Sequence, residues 1–560
     1  MDLHHPFLTE QLIAYIGNKR ALLPFLHGVF SRLAPEPSRA TFLDPFAGSG
    51  AVSRLARLMG FAVAANDLEH YSYVINSCHL GTAEADADLL FREKGGLGRV
   101  LAELNSLPPP REEKAYISRH YAPRSTEQAD WRTERLFYTR ENARVIDAVR
   151  ERIEEMYPGT PVEETSFRQK MILLAPLLYE AATHTNTSGV FKACHRGFGG
   201  HSRDALKRIL AGIILRPPVL IDAPAPSTVA CMDAKEFLSG RAADICYLDP
   251  PYAVHQYGSN YFMLNSIALW DKPPVSEARG PDGRLRSKAG IRADWTRTRS
   301  EFCYPSTAFA AMRRIVQAAD CRWLVVSYSD EGLIGLEELS ELLAGAGSLS
   351  ISSTGYVKYP GGKQSLGRTT RNQELVLVVD RTGTARARRP QGTRPVSELL
   401  LDVRIARLMG QACHPARVRR AFRTEQDAIV VEPCPGKTGR LPMRHHWRFT
   451  ADAVPPRFAA SADAEQFAAR LRRCLVRDVR EEIDVIVGIT KKEREARERN
   501  RLLKEILRLA NKLAHRKYAD IFSEALEGLR MFASGDPALN GFRAGLDKIA
   551  LTAEKRRAAK

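Results

Sequence analysis

Residues 41–67, TFLDPFAGSGAVSRLARLMGFAVAAND, predict a strand, a glycine turn, a helix and a second strand. The apolar segment 41–43 suits a buried strand, two glycines interrupt the pattern, and a helical period follows over 51–59. A second strand is predicted at 61–65. Because two strands joined by a helix are normally parallel, the segment predicts an α/β fold built on a parallel sheet.

Further strands are predicted beyond a long helical region, which extends from about residue 81 to residue 225. The helical region contains long amphipathic stretches, and the later strands are short and apolar. A hairpin with a glycine-rich, basic tip is also predicted. The segments concerned are helices at 139–156 and 166–182, strands at 242–248 and 322–328, and hairpin strands at 350–358 and 373–379.

The glycine turn predicts a cofactor site. In a doubly wound sheet, such a turn lets the backbone approach a ligand, and an acid after the second strand binds ribose hydroxyls. Gly48 and Gly50 form the turn, and Asp67 is the acid. Asp44 precedes the turn, where it suits a positively charged ligand, such as the amino acid end of S-adenosylmethionine. Taken singly, the glycines also suit an ordinary turn, and Asp67 suits a solvated strand end.

The segment ICYLDPPY, residues 245–252, carries the predicted chemistry. Methylating an aromatic amine requires acceptors for its N–H groups as the nitrogen becomes tetrahedral. The Asp249 carboxylate and the Pro250 carbonyl can be these acceptors, because Pro250 and Pro251 stiffen the end of the strand. Tyr252 can stack on an extruded base, a contact worth about 1–3 kcal/mol.

These motifs occur in the order typical of the Dam-like, alpha-type family of adenine-specific DNA methyltransferases, which the chain resembles over roughly residues 10–380. The segment YIGNKR, with Ile16 and Asn18, departs from the YxGGK or YxGSK pattern of many members, so an ordinary helix start is the alternative there. The matching segments are YIGNKR (Tyr15–Arg20), DPFAGSG (Asp44–Gly50), Asp67, VACMDAKEFL (Val229–Leu238) and DPPY (Asp249–Tyr252).

The resemblance implies a Rossmann-like class I S-adenosylmethionine-dependent methyltransferase sheet with a helical target-recognition insertion. It also implies transfer of a methyl group to the exocyclic amine of a flipped adenine, without a metal. The implied catalytic residues are Asp249, Pro250, Pro251 and Tyr252. The implied cofactor-binding residues are Tyr15 and Lys19 near the methionine end, Asp44, Pro45, Phe46, Gly48, Gly50, Asp67, and Asp233 at the adenine edge.

Two basic segments are predicted to contact nucleic acid. The loop 186–208 combines glycines, bases and aromatics, so its cations can follow a phosphate backbone while Phe191 or Phe198 packs against bases or sugars. The hairpin tip can do the same. Both segments also suit solvated surface loops, and buried phenylalanine anchors are the alternative in the first. The predicted contacts are Lys192, Arg196 and Arg203 in the loop and Lys358, Lys363 and Arg368 at the tip.

Composition favours a polyanionic partner and a reducing compartment. The 560 residues include 83 Lys and Arg against 65 Asp and Glu, a formal net charge of +18, and clustered cations gain free energy by releasing counterions from phosphates. The nine cysteines contain no CxxC pair, which argues against a zinc site or a disulfide framework. Without a signal peptide or an apolar run of about 18 residues, we expect a cytoplasmic protein that is not bound to a membrane.

The chain is predicted to have three regions and a linker. Residues 1–80 and 226–380 form the catalytic domain, and 81–225 form the insertion. An arginine-rich linker, 381–395, leads to an extra, basic and mainly helical domain at 396–560. This last domain has no counterpart in the resemblance, so a recognition module, a dimerisation element and a platform for a nuclease all remain open, as does the oligomeric state.

The function predicted from the sequence is site-specific DNA adenine methylation, in a restriction–modification or defence system. RNA adenine methylation suits the same charge and the same catalytic motif. A catalytically idle DNA-binding specificity subunit is the alternative from a different class, although the intact segment 249–252 argues against it.

Overall fold

The computed structural model describes residues 2–200, 205–329, 331–357, 371–382, 396–450, 452–514 and 518–558. The chain divides into two compact units. The first contains the described residues up to 354 together with 374–382, and the second contains residues 355–357 and 371–373 and those from 396 onward. Most of the predicted linker, 383–395, lies outside the described residues.

A seven-stranded sheet forms the centre of the first unit. Its strands are β1 (Thr41–Asp44), β2 (Ala62–Asn66), β3 (Ser227–Ala230), β4 (Ala242–Leu248), β5 (Asp320–Ser329), β6 (Ser348–Val357) and β7 (Arg371–Asp380). The spatial order is β3-β2-β1-β4-β5-β7-β6. The first five strands pair in parallel, and β7 runs antiparallel to β5. The predicted Rossmann-like parallel sheet is confirmed.

The strand order reverses at β1, which lies between β2 and β4. Phe42 on β1 pairs with Ile245 on β4, so both strands end at the same edge of the sheet. Asp44 is the last residue of β1, and Asp249 directly follows β4. Ligands of doubly wound sheets bind at the carboxyl ends of the strands beside such a reversal. The topology therefore places both aspartates where a ligand is expected.

Helices precede and separate the strands of this sheet in the sequence. Their apolar side chains contribute to a large core. Residues between β2 and β3 pack with the segment after β4, and the buried core includes Phe137, Ile146, Leu173 and Phe262. The helices are α1 (Pro6–Thr9), α2 (Leu23–Leu33), α3 (Ala51–Met59), α4 (His70–Gly81), α5 (Glu84–Leu90), α6 (Leu97–Asn105), α7 (Ile117–His120), α8 (Arg140–Met156), α9 (Glu164–Thr183), α10 (Leu206–Leu210), α11 (Ala234–Leu238), α12 (Tyr257–Asn260), α13 (Phe262–Leu269), α14 (Ala308–Ala318) and α15 (Leu336–Ala344).

The second unit combines helices with a small antiparallel sheet. Its elements are α16 (Val396–Met409), α17 (Pro415–Ala421), β8 (Arg423–Glu425), β9 (Ala428–Cys434), β10 (Lys437–Arg444), β11 (Arg448–Phe449), α18 (Ser461–Cys474), α19 (Val479–Thr490), α20 (Ala496–Leu513), α21 (Ala519–Ala533) and α22 (Asn540–Ala558). The strand order is β11-β10-β9-β8. The sequence did not predict β10, because its Lys, Gly, Arg and Pro residues have low strand propensity. Across the described parts of both units, no helix is long and apolar enough to span a bilayer.

Candidate active site

A cavity opens at the carboxyl ends of β1 and β4. Its volume is about 230 Å³, whereas one water needs about 10–15 Å³, so the cavity can hold an organic ligand. Every predicted catalytic and cofactor-binding residue lines it except Gly50. The lining segments include Tyr15–Lys19, Asp44–Ser49, Asn66–Glu69, Met232–Lys235, Asp249–Tyr252 and Thr298–Phe302.

The turn between β1 and α3 needs glycine at two positions. Gly48 has φ +52°, and a β-carbon there would lie 2.8 Å from Cε1 of Tyr15. Gly50 has φ +81°, and a β-carbon there would lie 2.5 Å from Oδ1 of Asn76. Gly48 therefore lets Tyr15 close one wall of the cavity, while Gly50 begins α3 behind the wall.

Asp44 is a buried acid held by neutral donors. Its Oδ2 accepts a hydrogen bond of 2.6 Å from the Ser53 hydroxyl, and its Oδ1 accepts one of 3.4 Å from the Phe46 amide. Burial raises the pKa of Asp44 to about 7, and these hydrogen bonds only partly oppose the rise. A cationic group in the cavity would stabilise the ionised carboxylate. Asp44 is thus suited to bind an ammonium group.

Asp67 fixes the glycine turn to the end of β2. Its Oδ2 accepts a hydrogen bond of 2.8 Å from the Gly48 amide, and its Oδ1 accepts one of 2.9 Å from the Glu69 amide. Burial raises the pKa of Asp67, against the opposing effect of the backbone donors. A carboxylate has capacity for about four hydrogen bonds, so Asp67 can also accept from hydroxyls in the cavity.

Three tyrosines pack around Tyr15, and one of them, Tyr257, also lines the cavity. The ring of Tyr15 stacks on Tyr261 at a centroid distance of 4.9 Å and lies 5.2 Å from Tyr257. The Ile16 amide donates to the Tyr261 hydroxyl at 2.8 Å, and the Tyr257 hydroxyl donates to the Ile16 carbonyl at 3.0 Å. Tyr71 donates to the Tyr15 hydroxyl at 3.2 Å. These contacts hold residues 15–19 outside any helix, and a short 3-10 helix begins directly after them at Arg20.

Asp249 has a built-in cationic partner. Its Oδ1 lies 2.9 Å from Nζ of Lys19, and the Lys19 side chain is only 3% exposed. Burial would lower the pKa of Lys19, but the neighbouring acids and tyrosines, with Asp249 first among them, together outweigh burial and raise it. Burial raises the pKa of Asp249, and Lys19 opposes that rise. The pair therefore favours an ionised carboxylate next to the predicted catalytic prolines.

Glu374 on β7 is a buried acid that contacts two residues of the cavity lining, and the sequence did not identify it. Its Oε2 lies 3.9 Å from Nζ of Lys19, and its Oε1 accepts a hydrogen bond of 3.3 Å from the Tyr252 hydroxyl. Lys19 also lies 5.0 Å above the Tyr252 ring. The available signal was an acid directly before the apolar run LVLVV. Its partners depend on the antiparallel pairing of β7 with β5, which opposes Glu374 to Ser329.

Two further acids lie along the same wall. Asp233 begins α11, where its Oδ1 accepts from the Lys235 amide at 2.8 Å. Glu69, also missed from the sequence, hydrogen-bonds Asn265, and burial raises the pKa of Glu69 to about 7. In the described part of the chain, no cluster of three or more His, Cys, Asp or Glu side chains is arranged to hold a metal ion.

The predicted nucleic-acid contacts have mixed placement. Lys192 and Arg196 are exposed, and the Arg196 guanidinium lies 4.6 Å from the ring centroid of Trp131. Phe191 is wrong as a base contact, because it is 2% exposed and packs against the Phe137 ring. Phe198 is half-buried. The remaining predicted contacts lie outside the described residues: Arg203, Lys358, Lys363 and Arg368.

Comparison with known proteins identifies the family. The family described as D12 class N6 adenine-specific DNA methyltransferase matches residues 15–292. The chain is 31% identical over 350 residues to Type II methyltransferase M.NlaIII of Neisseria lactamica, which covers 62% of this chain and 93% of that protein. It is 28% identical to Type II methyltransferase M.CviAII of Paramecium bursaria Chlorella virus 1, across 66% and 99% of the two lengths. It is 26% identical to Modification methylase LlaI of Lactococcus lactis subsp. lactis, across 65% and 54%. The chain belongs to the D12 class of N6 adenine-specific DNA methyltransferases.

Proposed function

We propose that this methyltransferase uses S-adenosylmethionine to methylate N6 of a flipped adenine within a specific DNA sequence, and that it is the modification enzyme of a restriction–modification or defence system. The observation that carries the proposal is the single cavity that joins Asp44 and Asp67 to the segment Asp249–Tyr252. The setting is supported by the modification methylases and type II methyltransferases among its relatives.

The cofactor is proposed to lie along the wall from Asp44 to Asp233. Asp44 is held by neutral donors and would bind the α-ammonium, beside Tyr15. Asp67 would accept from the ribose hydroxyls, and Asp233 would face the adenine edge, while Pro45, Phe46 and Gly48 pack along the ligand. When bound, S-adenosylmethionine supplies an electrophilic methyl group on a positively charged sulfur.

Asp249 and Pro250 are proposed to position the adenine amine. Two N–H groups of N6 would donate to the Asp249 carboxylate and the Pro250 carbonyl, which directs the nitrogen lone pair out of the ring plane. Methyl transfer would place positive charge on N6, with the sulfur as the leaving group. The anionic Asp249 would stabilise that charge, and the surplus N6 proton would then pass to solvent.

Lys19 is proposed to keep Asp249 in its acceptor form. A carboxyl group protonated in a buried site would present a donor to the amine and lose half of its accepting capacity. The 2.9 Å ion pair with Lys19 counters that protonation. Tyr252, which lines the same cavity, would stack on the flipped base.

Trp131 is proposed as part of the DNA-facing surface near Lys192 and Arg196. Its ring lies within 5.9 Å of the guanidinium groups of Arg132, Arg196 and Arg284, which come from three separate segments. Such a cluster combines cations for phosphates with an aromatic platform.

The decisive experiment is Asp249→Ala with labelled S-adenosylmethionine. Methyl transfer should fall by at least about a thousandfold, because both the acceptor and the charge stabilisation are lost, while cofactor affinity should stay within about threefold by calorimetry. Digestion of wild-type reaction products should place the label on N6-methyladenine from DNA and leave RNA unlabelled. Full activity in the variant, or label in RNA alone, would contradict the proposal, and absent cofactor binding by the wild-type protein would favour an idle subunit.

A further inference from the structure

The region from 396 onward lies beyond the family match, which ends at residue 292. M.NlaIII is matched over 93% of its length by only 62% of this chain. More than a third of this chain therefore has no counterpart in that relative. The role of the second unit must be sought in its own surface.

We infer that the second unit binds duplex DNA through exposed arginines on α17 and α18. We call these residues the α17–α18 basic surface: Arg419 and Arg420 on α17, and Arg470 and Arg473 on α18. The inference rests on the proposed function for its choice of polymer, and it adds a second contact with that polymer, made by residues of the other unit.

The two helices run antiparallel and lie in direct contact. At one end, the His414 amide donates to the Cys474 carbonyl at 2.7 Å. At the other end, the Arg470 guanidinium donates to the Ala421 carbonyl and lies 4.6 Å from the Phe422 ring centroid. This contact brings the outer side of α18 next to the carboxyl end of α17.

The packing leaves the arginines on the outside. Val418 on α17 and Phe467 and Leu471 on α18 are buried in one apolar cluster. The arginine side chains of this surface are exposed, including Arg473, which lies one helical turn from Arg470. The helices therefore turn their apolar faces inward and their arginines toward solvent.

Three of these arginines lack carboxylate partners. Within the described residues, no ion pair involves Arg419, Arg420 or Arg473, whereas the flanking Arg417 and Arg423 are paired with Glu481 and Glu425. The positive charge at the centre of the surface is therefore not neutralised by the protein. Arg419 also contributes to lowering the pKa of His446, after the larger effect of burial.

A DNA backbone suits this arrangement. Guanidinium groups bind phosphate oxygens with two parallel hydrogen bonds, and phosphate neutralisation releases condensed counterions. An interaction of this kind depends on salt and is independent of sequence. A second contact on one chain also raises the effective concentration of DNA at the first.

The test compares two triple variants of the full chain. In the first, Arg419, Arg420 and Arg473 are changed to Gln. In the control, Arg480, Arg499 and Arg530 are changed to Gln, because these arginines of the same unit already pair with Glu524, Asp536 and Asp547. Both variants lose three positive charges. They therefore have the same net charge and differ only in which surface of the unit is altered. Thermal denaturation should show that both remain folded.

The affinity for a duplex without the target site is measured over a range of salt. The first variant should bind at least about tenfold more weakly at low salt, and its slope of log affinity against log salt should fall by about 2–3, since each lost phosphate contact contributes about 0.9. The control should keep the wild-type slope. Replacing the three arginines with Lys should restore most of the slope.

Methylation of a saturating short oligonucleotide that contains the target should keep its wild-type rate in the first variant. An unchanged slope, or equal losses in the variant and the control, would overturn the inference. Failure of the wild-type protein to methylate DNA would instead refute the proposed function, while the binding comparison could still support the basic surface.

Discussion

An aspartate lies at each end of the cavity, directly at or after the end of a parallel strand: Asp44 at the end proposed to bind the cofactor, and Asp249 at the end proposed to hold the amine. Asp44 ends β1 and is 1% exposed, and Asp249 follows β4, with its side chain 16% exposed. Asp44 is held by the Ser53 hydroxyl and by backbone, whereas Asp249 lies 2.9 Å from Lys19. Asp44 therefore has no cationic side chain among its hydrogen-bonding partners, whereas Asp249 forms an ion pair with a lysine of the protein itself.

This difference corresponds to the charge of the group that each acid is proposed to meet. A cationic ligand at Asp44 completes a pair that the protein leaves incomplete. The neutral amine of adenine meets a carboxylate that is already compensated, so it can be bound without bringing a charge of its own. An isolated buried charge is strongly disfavoured. Exchanging the surroundings of Asp44 and Asp249 should therefore impair both the proposed binding of the ammonium group and the proposed binding of the amine.

Lys19→Met should leave Asp249, like Asp44, without a cationic partner. Of the changes considered in this section, it should have the largest effect on activity. Without the cation, burial dominates and the pKa of Asp249 rises further. We expect kcat at neutral pH to fall by about a hundredfold to a thousandfold, with partial recovery as the pH is raised and the carboxyl ionises. Rates measured across the pH range with saturating substrates provide the check.

The control for this change is Lys170→Met. Lys170 is a buried lysine that lies 2.8 Å from Glu154, outside the cavity lining. The Lys170→Met substitution should lower thermal stability without altering the dependence of kcat on pH. Equal losses of kcat in both variants would point to a general folding defect.

Asp44→Asn should act on cofactor binding and spare the chemical step. The cofactor dissociation constant should rise by about tenfold to a hundredfold, because the amide provides no charge for the ammonium, while kcat at saturation changes little. In the wild-type protein, affinity should fall as the pH drops below about 7, where the Asp44 carboxyl of the free protein becomes protonated. Above that pH the affinity should level off.

Asp147→Asn provides the matched control. Asp147 is also buried and accepts backbone hydrogen bonds from Ile117 at 2.7 Å and Ser118 at 2.9 Å, but it does not line the cavity. Calorimetry should show unchanged cofactor affinity in this variant. A pH-independent affinity in the wild-type protein would contradict the role assigned to Asp44.

The parts of the site that the strand pattern identified share one property: each lies close to the end of a strand. Gly48, Asp67 and Asp249 lie within a few residues of a strand end, so the strand pattern was enough to place them at one edge of the sheet. Glu374 and Tyr261 could not be found in this way. Their roles arise from the pairing of β7 with β5 and from the stacking of Tyr261, between α12 and α13, on Tyr15, which are contacts between distant segments.

The same reason explains the failure at Phe191. A glycine-rich, basic loop predicts exposure of its aromatics only when no apolar surface lies nearby. Here the Phe191 amide donates to the Asn260 carbonyl at 2.7 Å, and the ring enters the core beside Phe137. The composition of the loop described its cations correctly, since Lys192 and Arg196 are exposed.

Gly48→Ala should weaken the cofactor end through strain alone. The substitution combines φ +52° with a β-carbon 2.8 Å from the Tyr15 ring, so we expect a loss of about 2–3 kcal/mol in the free energy of unfolding. Gly159→Ala is the control, because Gly159 has φ +57° and no atom within 4 Å of the added carbon. It should lose only about 1 kcal/mol. If urea denaturation shows equal losses of unfolding free energy in the two variants, the contact with Tyr15 is not the cause of the loss.

Glu374→Gln should have the smallest effect and should sharpen the difference between the two ends. Lys19 lies near both Glu374 and Asp249. When the charge of Glu374 is removed, Lys19 interacts with the Asp249 carboxylate alone, and the pKa of Asp249 falls. The acid limb of the rate profile should therefore move to lower pH by less than about one unit, while kcat at neutral pH stays within about threefold. The Gln side chain can still accept from Tyr252, so Glu374→Ala separates charge from packing. A profile that moves equally in both variants indicates charge, and one that moves only in Ala indicates that Glu374 acts by supporting Tyr252.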